Sequence, residues 1–143
     1  MRTLVLGVID QRYDNKGADE ATTTGEVAKI LEDEYQIMER FYFAHEDDVQ
    51  EMLNDSIQGQ IENLLVGAPA PASPFEQANS EIKSLFDRFI TEREMDHMGV
   101  PGVPTQASLG GKSKRFKSGE SGTVRPSFVD SSLYLNSFIA WVE

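Results

Sequence analysis

The chain has 143 residues, 39% of them apolar, no cysteine and a formal net charge of −11. The length suits one domain. The lack of cysteine excludes disulfides, thiolate metal sites and a cysteine nucleophile, and no apolar run approaches the ~20 residues that span a bilayer. The apolar stretch near the N-terminus is too short for a signal peptide and no cleavage site follows it, so the reading is a soluble, cytoplasmically made protein. Charge is unevenly divided. Residues 1–98 hold 8 Lys/Arg against 21 Asp/Glu, a net of −13, and residues 99–143 hold 5 against 3, a net of +2. An acidic body repels phosphates and disfavours non-specific DNA binding. The asymmetry suits head-to-tail packing of copies; acidic surface kept for solubility is the plainer alternative.

Residues 3–9 read T-L-V-L-G-V-I, a short and almost continuously apolar run that predicts a strand covered on both faces. A polar loop follows through Asn15-Lys16-Gly17. Thr23 and Glu26 have the spacing of a capping box, and Val27, Ile30, Leu31, Tyr35, Ile37, Met38, Phe41 and Tyr42 continue it as one broad helical stripe. His45 falls at a junction. Glu46, Asp47 and Asp48 mark a second helix start, where carboxylates meet the positive end of the dipole. Whether the chain breaks or only kinks there is left open. Val49, Leu53, Ile57, Ile61 and Leu64 recur at helical spacing and are expected to be core, with Ser56, Gly59 and Gln60 allowing a close neighbour. Gly67 fits the helix C-cap.

Residues 67–74, G-A-P-A-P-A-S-P, form a stiff connector. Ser73, Pro74 and Glu76 supply an N-cap, a first-position proline and a third-position acid for a third amphipathic helix, whose face is Phe75, Ala78, Ile82, Leu85, Phe86, Phe89 and Ile90. Gly99-Val100-Pro101-Gly102-Val103-Pro104 stops it, and one short turn fits at 105–109. From 110 to 122 the sequence G-G-K-S-K-R-F-K-S-G-E-S-G cannot bury enough area to order itself and reads as an arm. Pro126 forces an extended approach to Asp130-Ser131-Ser132, which carry turn chemistry. The chain then closes on F-I-A-W-V, residues 138–142, which read as a packed strand pairing with residues 3–9.

No catalytic constellation emerges. Two distant histidines and no cysteine leave little for general-base or nucleophilic catalysis. Glu92, Glu94, Asp96 and His97 lack a metal-binding spacing and read as a solvated helix end. No nucleotide-binding glycine pattern is present, and no cofactor or small-molecule substrate is expected. The residues that stand out are Lys112, Lys114, Arg115, Phe116 and Lys117, joined by Arg125. Contact with acidic surface on another subunit is the preferred reading. Phosphate contact and a plain loop are the alternatives, since one aromatic is thin evidence for base stacking.

Three stretches carry a family likeness: T-E-R-E-M-D at 91–96 running into G-V-P-G-V-P-T at 99–105; G-K-S-K-R-F-K at 111–117; and R-P-S-F-V-D-S-S-L-Y at 125–134 followed by Ser137-Phe138. Together they resemble small virion morphogenesis proteins of tailed bacteriophages. The third is similar to the Pro, Val-Asp-Thr-Gly, Leu and Ser arrangement near the C-terminus of tail-completion and head–tail connector proteins, with Ser131-Ser132 in place of Thr-Gly. The likeness covers about the last third of the chain. It implies a non-enzymatic structural protein of the neck or tail, acting in several copies on other copies of itself and neighbouring virion proteins, located in the virion and in the host cytoplasm during assembly, with no membrane partner; protein contact is preferred to nucleic acid. Pro126, Phe128, Asp130, Ser131, Tyr134 and Trp141 then have a mechanical role, delivering the last strand.

The expected architecture is one α+β domain: a helical body at about 22–98 with three helices packed on a sheet of the N- and C-terminal strands, an extended basic arm at about 99–126, and a C-terminal turn and strand at 127–143. A small acidic regulatory or inhibitory binding module, working as a monomer or dimer, is the alternative function.

Overall fold

The computed structural model describes residues 2–13, 22–110, 126–129 and 132–143. The fold is α+β. Strands β1 (Leu4–Val8) and β2 (Phe138–Val142) pair antiparallel, Leu4 opposite Val142 and Val8 opposite Phe138. Backbone bonds between Thr3 and Glu143, at 3.0 and 2.9 Å, extend the ladder by one residue. Strand alternation turns Phe138 and Ala140 inward, where they are buried, with Leu4, Leu6 and Val8 beside them. Val5, Ile139 and Trp141 form the outer face and are half-buried. Gly7 has a steric reason to be glycine: a Cβ there would lie 3.2 Å from the Trp141 ring.

Between the strands run α1 (Thr24–Tyr35), α2 (Ile37–Ala44), α3 (Glu46–Leu65), α4 (Glu76–Thr91), a 3-10 turn at Glu94–His97, α5 (Gln106–Leu109) and α6 (Leu133–Ser137). The core is aromatic. Phe41, Phe86, Phe89 and Phe138 are fully buried. The Phe86 and Phe138 rings stack at 3.9 Å with 12° between planes, and Phe41 meets Phe86 edge-on at 5.2 Å. Thus α4 supplies the platform on which β2 lies. Its predicted face is buried from Ala78 through Ile90.

The capping box forms: Glu26 N–H donates to Thr23 Oγ1 at 3.3 Å, and Thr23 N–H to Glu26 Oε2 at 3.1 Å. The single first helix does not. Gln36 takes a left-handed conformation (φ 53°), and the Glu32 carboxylate accepts from the N–H groups of Met38 and Glu39 at 2.9 and 3.1 Å. Glu32 therefore caps a new helix, α2, satisfying donors that a continuous helix would have used internally. His45 separates α2 from α3, so the stretch 22–66 holds three helices. Gly67, at φ 77°, ends α3 as expected.

Four expectations need correction. The face of α3 is core only at its start. Val49 is buried and Leu53 half-buried, but Ile57, Ile61 and Leu64 are 44%, 53% and 58% exposed. Twenty residues make a helix of about 30 Å, and among the described residues nothing lies within 4 Å of a Cβ placed on Gly59. Ser73 does not cap α4. It accepts Glu76 N–H at 3.3 Å through its backbone carbonyl, and α4 begins after Phe75 with no side-chain cap; Gln60 holds the Pro74 carbonyl at 2.7 Å. Residues 99–110 are not extended as expected, because Val100 and Ser108 are buried and α5 forms there; the rest of the expected arm, 111–125, lies outside the described residues. The C-terminal turn and strand include a helical turn, α6, before β2. Lys112, Lys114, Arg115, Phe116, Lys117, Arg125, Asp130 and Ser131 lie outside the described residues.

Candidate functional site

Two of the three motif stretches, far apart in sequence, meet in a buried polar clasp. Ser127 Oγ donates to Asp96 Oδ1 at 3.0 Å and accepts from Thr105 N–H at 3.1 Å. Ser108 Oγ lies 3.2 Å from it and donates to the Thr105 carbonyl at 2.8 Å. Thr105 also caps α5, its Oγ1 accepting from Ser108 N–H at 3.2 Å. Each hydroxyl is committed to a partner, as burial requires. Beside the clasp, Phe128 is left-handed (φ 68°), an uncommon conformation for a bulky side chain. Its ring packs on Tyr35 at 5.1 Å, and the Ser127 bonds hold the backbone before it. Arg93 (φ 63°) turns the chain from α4 into the 3-10 segment, which carries the acidic residues read from sequence as a solvated helix end. Two of them have structural partners, Asp96 holding Ser127 and Glu94 reaching His45, while Glu92 and His97 are exposed.

His45 couples the clasp to α3. Its Nε2 lies 2.8 Å from Glu94 Oε2 and its Nδ1 3.1 Å from Asp48 Oδ2. Both nitrogens can donate at once only from a protonated ring. The ring also packs on Phe41 and Phe89 at 5.6 and 5.8 Å. Across the body, the Thr24 hydroxyl donates to the Ile9 carbonyl at 2.7 Å and accepts Gln11 N–H at 2.8 Å, joining the end of β1 to the start of α1. There the Thr23 hydroxyl and the Gly25 N–H, the latter at 2.9 Å, hold the Asp10 carboxyl below the usual carboxylate range. A Cβ at Gly25 would come within 2.8 Å of that carboxylate oxygen.

Of the sequence-predicted turn residues, Pro126 and Phe128 stand at the clasp, Tyr134 is buried in α6, and Trp141 lies on the outer face of β2, its Nε1–H donating to Glu143 Oε1 at 3.1 Å. Tyr134 meets Phe86 edge-on at 6.4 Å. Its hydroxyl is buried with no hydrogen-bond partner among the described residues, and burial, with Glu32 adding repulsion, pushes the phenol well above its ordinary range. No group of three or more His, Asp or Glu able to hold a metal occurs among the described residues, and no helix there is long and apolar enough to cross a membrane.

The second feature is the far half of α3. Ile57, Ile61 and Leu64 form a stripe at i, i+4 and i+7, continued by the exposed Leu65 and Val66. From Glu46 to Ile82 the sequence has eight carboxylates and no Lys or Arg. Helical periodicity had identified this stripe but assigned it to the core. Comparison with family models, with curated proteins and with solved structures yields no match to this chain.

Proposed function

We propose that the chain is a structural virion protein of a tailed phage, acting in the neck or tail, in tail completion or head–tail connection, through contacts between subunits. The observation that carries this reading is the clasp. Asp96 from the first motif stretch and Ser127 from the third are hydrogen-bonded across 31 residues of sequence. The basic stretch between them, residues 111–125, leaves from Gly110 and returns at Pro126, next to that one anchored point. A fixed base on both sides of the basic sequence is what a subunit-joining arm requires. The motif residues act mechanically, and the reading needs no enzyme activity or cofactor.

The acidic, apolar-striped end of α3 favours the second reading, a small acidic binding module working as a free monomer or dimer. The test is imaging and mass measurement of the purified chain, with mass spectrometry of purified particles from the phage that encodes it. Rings or stacked copies, and the chain present in particles at a fixed copy number, are the expected result. A stable free monomer absent from particles refutes the structural reading and leaves the binding module.

A further inference from the structure

We infer that the exposed end of α3 is the docking surface for the basic segment 112–117 of a second copy of this chain, so that copies join head to tail. The inference rests on the self-assembling reading above and supplies what that reading lacks, the surface that receives the segment.

Three observations converge. The stripe of Ile57, Ile61 and Leu64 is a surface on which an apolar or aromatic side chain gains burial, and singly scattered exposed residues do not line up at helical spacing in this way. The sequence from residue 46 to residue 82 has eight carboxylates and no cation, with Asp55 next to the stripe and Glu62 within it. That field attracts a cationic segment and opposes a two-fold pairing of the same helix with itself. The chain has one segment of matching chemistry, K-S-K-R-F-K at 112–117, with four cations around the single aromatic Phe116. Cations for the carboxylates and one ring for the stripe are the complement that the surface calls for.

Chain length separates a second copy from the same copy. The segment is tethered at Gly110, close to the clasp, and the clasp adjoins the start of α3 because Glu94 binds His45 and Asp96 binds Ser127. Phe116 is six residues from Gly110, a reach of at most about 21 Å. Leu64 stands nineteen residues beyond His45, about 28 Å along the helix axis. Ile57, about 18 Å along the same axis, is within that reach but Leu64 is not, so a segment that covers the whole stripe belongs to another copy. Donor segment and receiving face are different surfaces, so the contact is heterologous. It closes into a ring if the rotation allows, and otherwise extends as a filament.

The test uses two full-length variants. Ile61→Asp alters the receiving face at an exposed position. Lys112→Ser, Lys114→Ser, Arg115→Ser, Phe116→Ser and Lys117→Ser together remove the donor. Circular dichroism melts confirm that both fold like the parent chain, and sedimentation then reads association at low and high salt. The wild-type chain should associate more weakly as salt rises, and each variant alone should stay monomeric. An equimolar mixture of the two variants should form a 1:1 dimer and nothing larger, because each retains one working surface. A labelled peptide of residues 110–122 should bind the wild-type chain at least tenfold more tightly than the Ile61→Asp variant. Association that survives in the donor-less variant shows α3 pairing with itself and overturns the inference, as does a mixture that stays monomeric or a peptide indifferent to Ile61→Asp. These outcomes concern the pure chain, so head-to-tail association without any place in a particle would refute the virion reading alone.

Discussion

Replacing Phe138 with alanine tests the central claim about packing. The side chain is fully buried, stacked on Phe86 and edge-on to Phe41 at 6.3 Å. Truncating a buried Phe to Ala costs about 3–5 kcal/mol through lost transfer energy and the cavity left behind, and the aromatic pairing accounts for about 0.5–1.5 kcal/mol of that. A domain has only about 5–15 kcal/mol in total, so Phe138→Ala should remove a large part of it. With a urea slope of about 2 kcal/mol per molar, the midpoint should fall by about 2 M. Ile61→Ala is the control; at an exposed site it should stay within about 0.5 kcal/mol. Deleting residues 138–143 removes the whole of β2 and should abolish cooperative unfolding. The reasoning fails if Phe138→Ala costs less than about 1 kcal/mol, or if Ile61→Ala costs as much.

Tyr134→Phe removes a buried hydroxyl that makes no hydrogen bond among the described residues, and urea unfolding should find the variant more stable by about 1 kcal/mol, since leaving such a group unsatisfied costs about 1–3 kcal/mol; a loss of stability would reveal a partner for the hydroxyl. Gly7→Val brings a branched side chain against Trp141 and should cost about 1–3 kcal/mol, with a change in Trp141 fluorescence as the local readout. Asp10 has its pKa lowered in the fold, so its contribution is present above the unfolded value and is lost as pH falls through the folded one. Thermal unfolding of Asp10→Asn should therefore lie below wild type at pH 7 and approach it as pH falls below the ordinary carboxylate range; a gap unchanged on acidification would contradict the assignment.

Much of the fold was legible because it is written in local pattern. The two strands are the two short runs apolar on both faces, and the Thr23 capping box needs only four residues. The face of α4 follows from spacing because β2 and the aromatic core cover it along its length. What failed depends on partners outside the local window. Nothing near Gln36 announces that Glu32 will cap a helix starting at Ile37. Spacing on α3 reports an amphipathic helix and is silent on what covers its apolar side, so Val49 was placed correctly and Ile61 was not. The clasp joins Asp96 to Ser127 through separate loops, and the left-handed Phe128 within it has no composition signal, since the residue that usually marks that conformation is glycine. The acidic cluster at 92–97 was visible, but its partners His45 and Ser127 were not.

Pairing β1 with β2 also sets an order of events at synthesis. Leu4–Val8 leaves the ribosome about 130 residues ahead of the only strand it pairs with among the described residues. At 5–20 residues per second, it waits on the order of ten seconds with both ladder edges open. Through that interval the helices can form from local contacts, while the sheet must await the largest loop closure in the chain. An unpaired, two-faced apolar strand is a template for pairing with other chains. The nascent protein is thus most vulnerable to aggregation until Phe138–Val142 has emerged, and slowing synthesis of the segment before Phe138 should lower the soluble yield more than slowing it elsewhere.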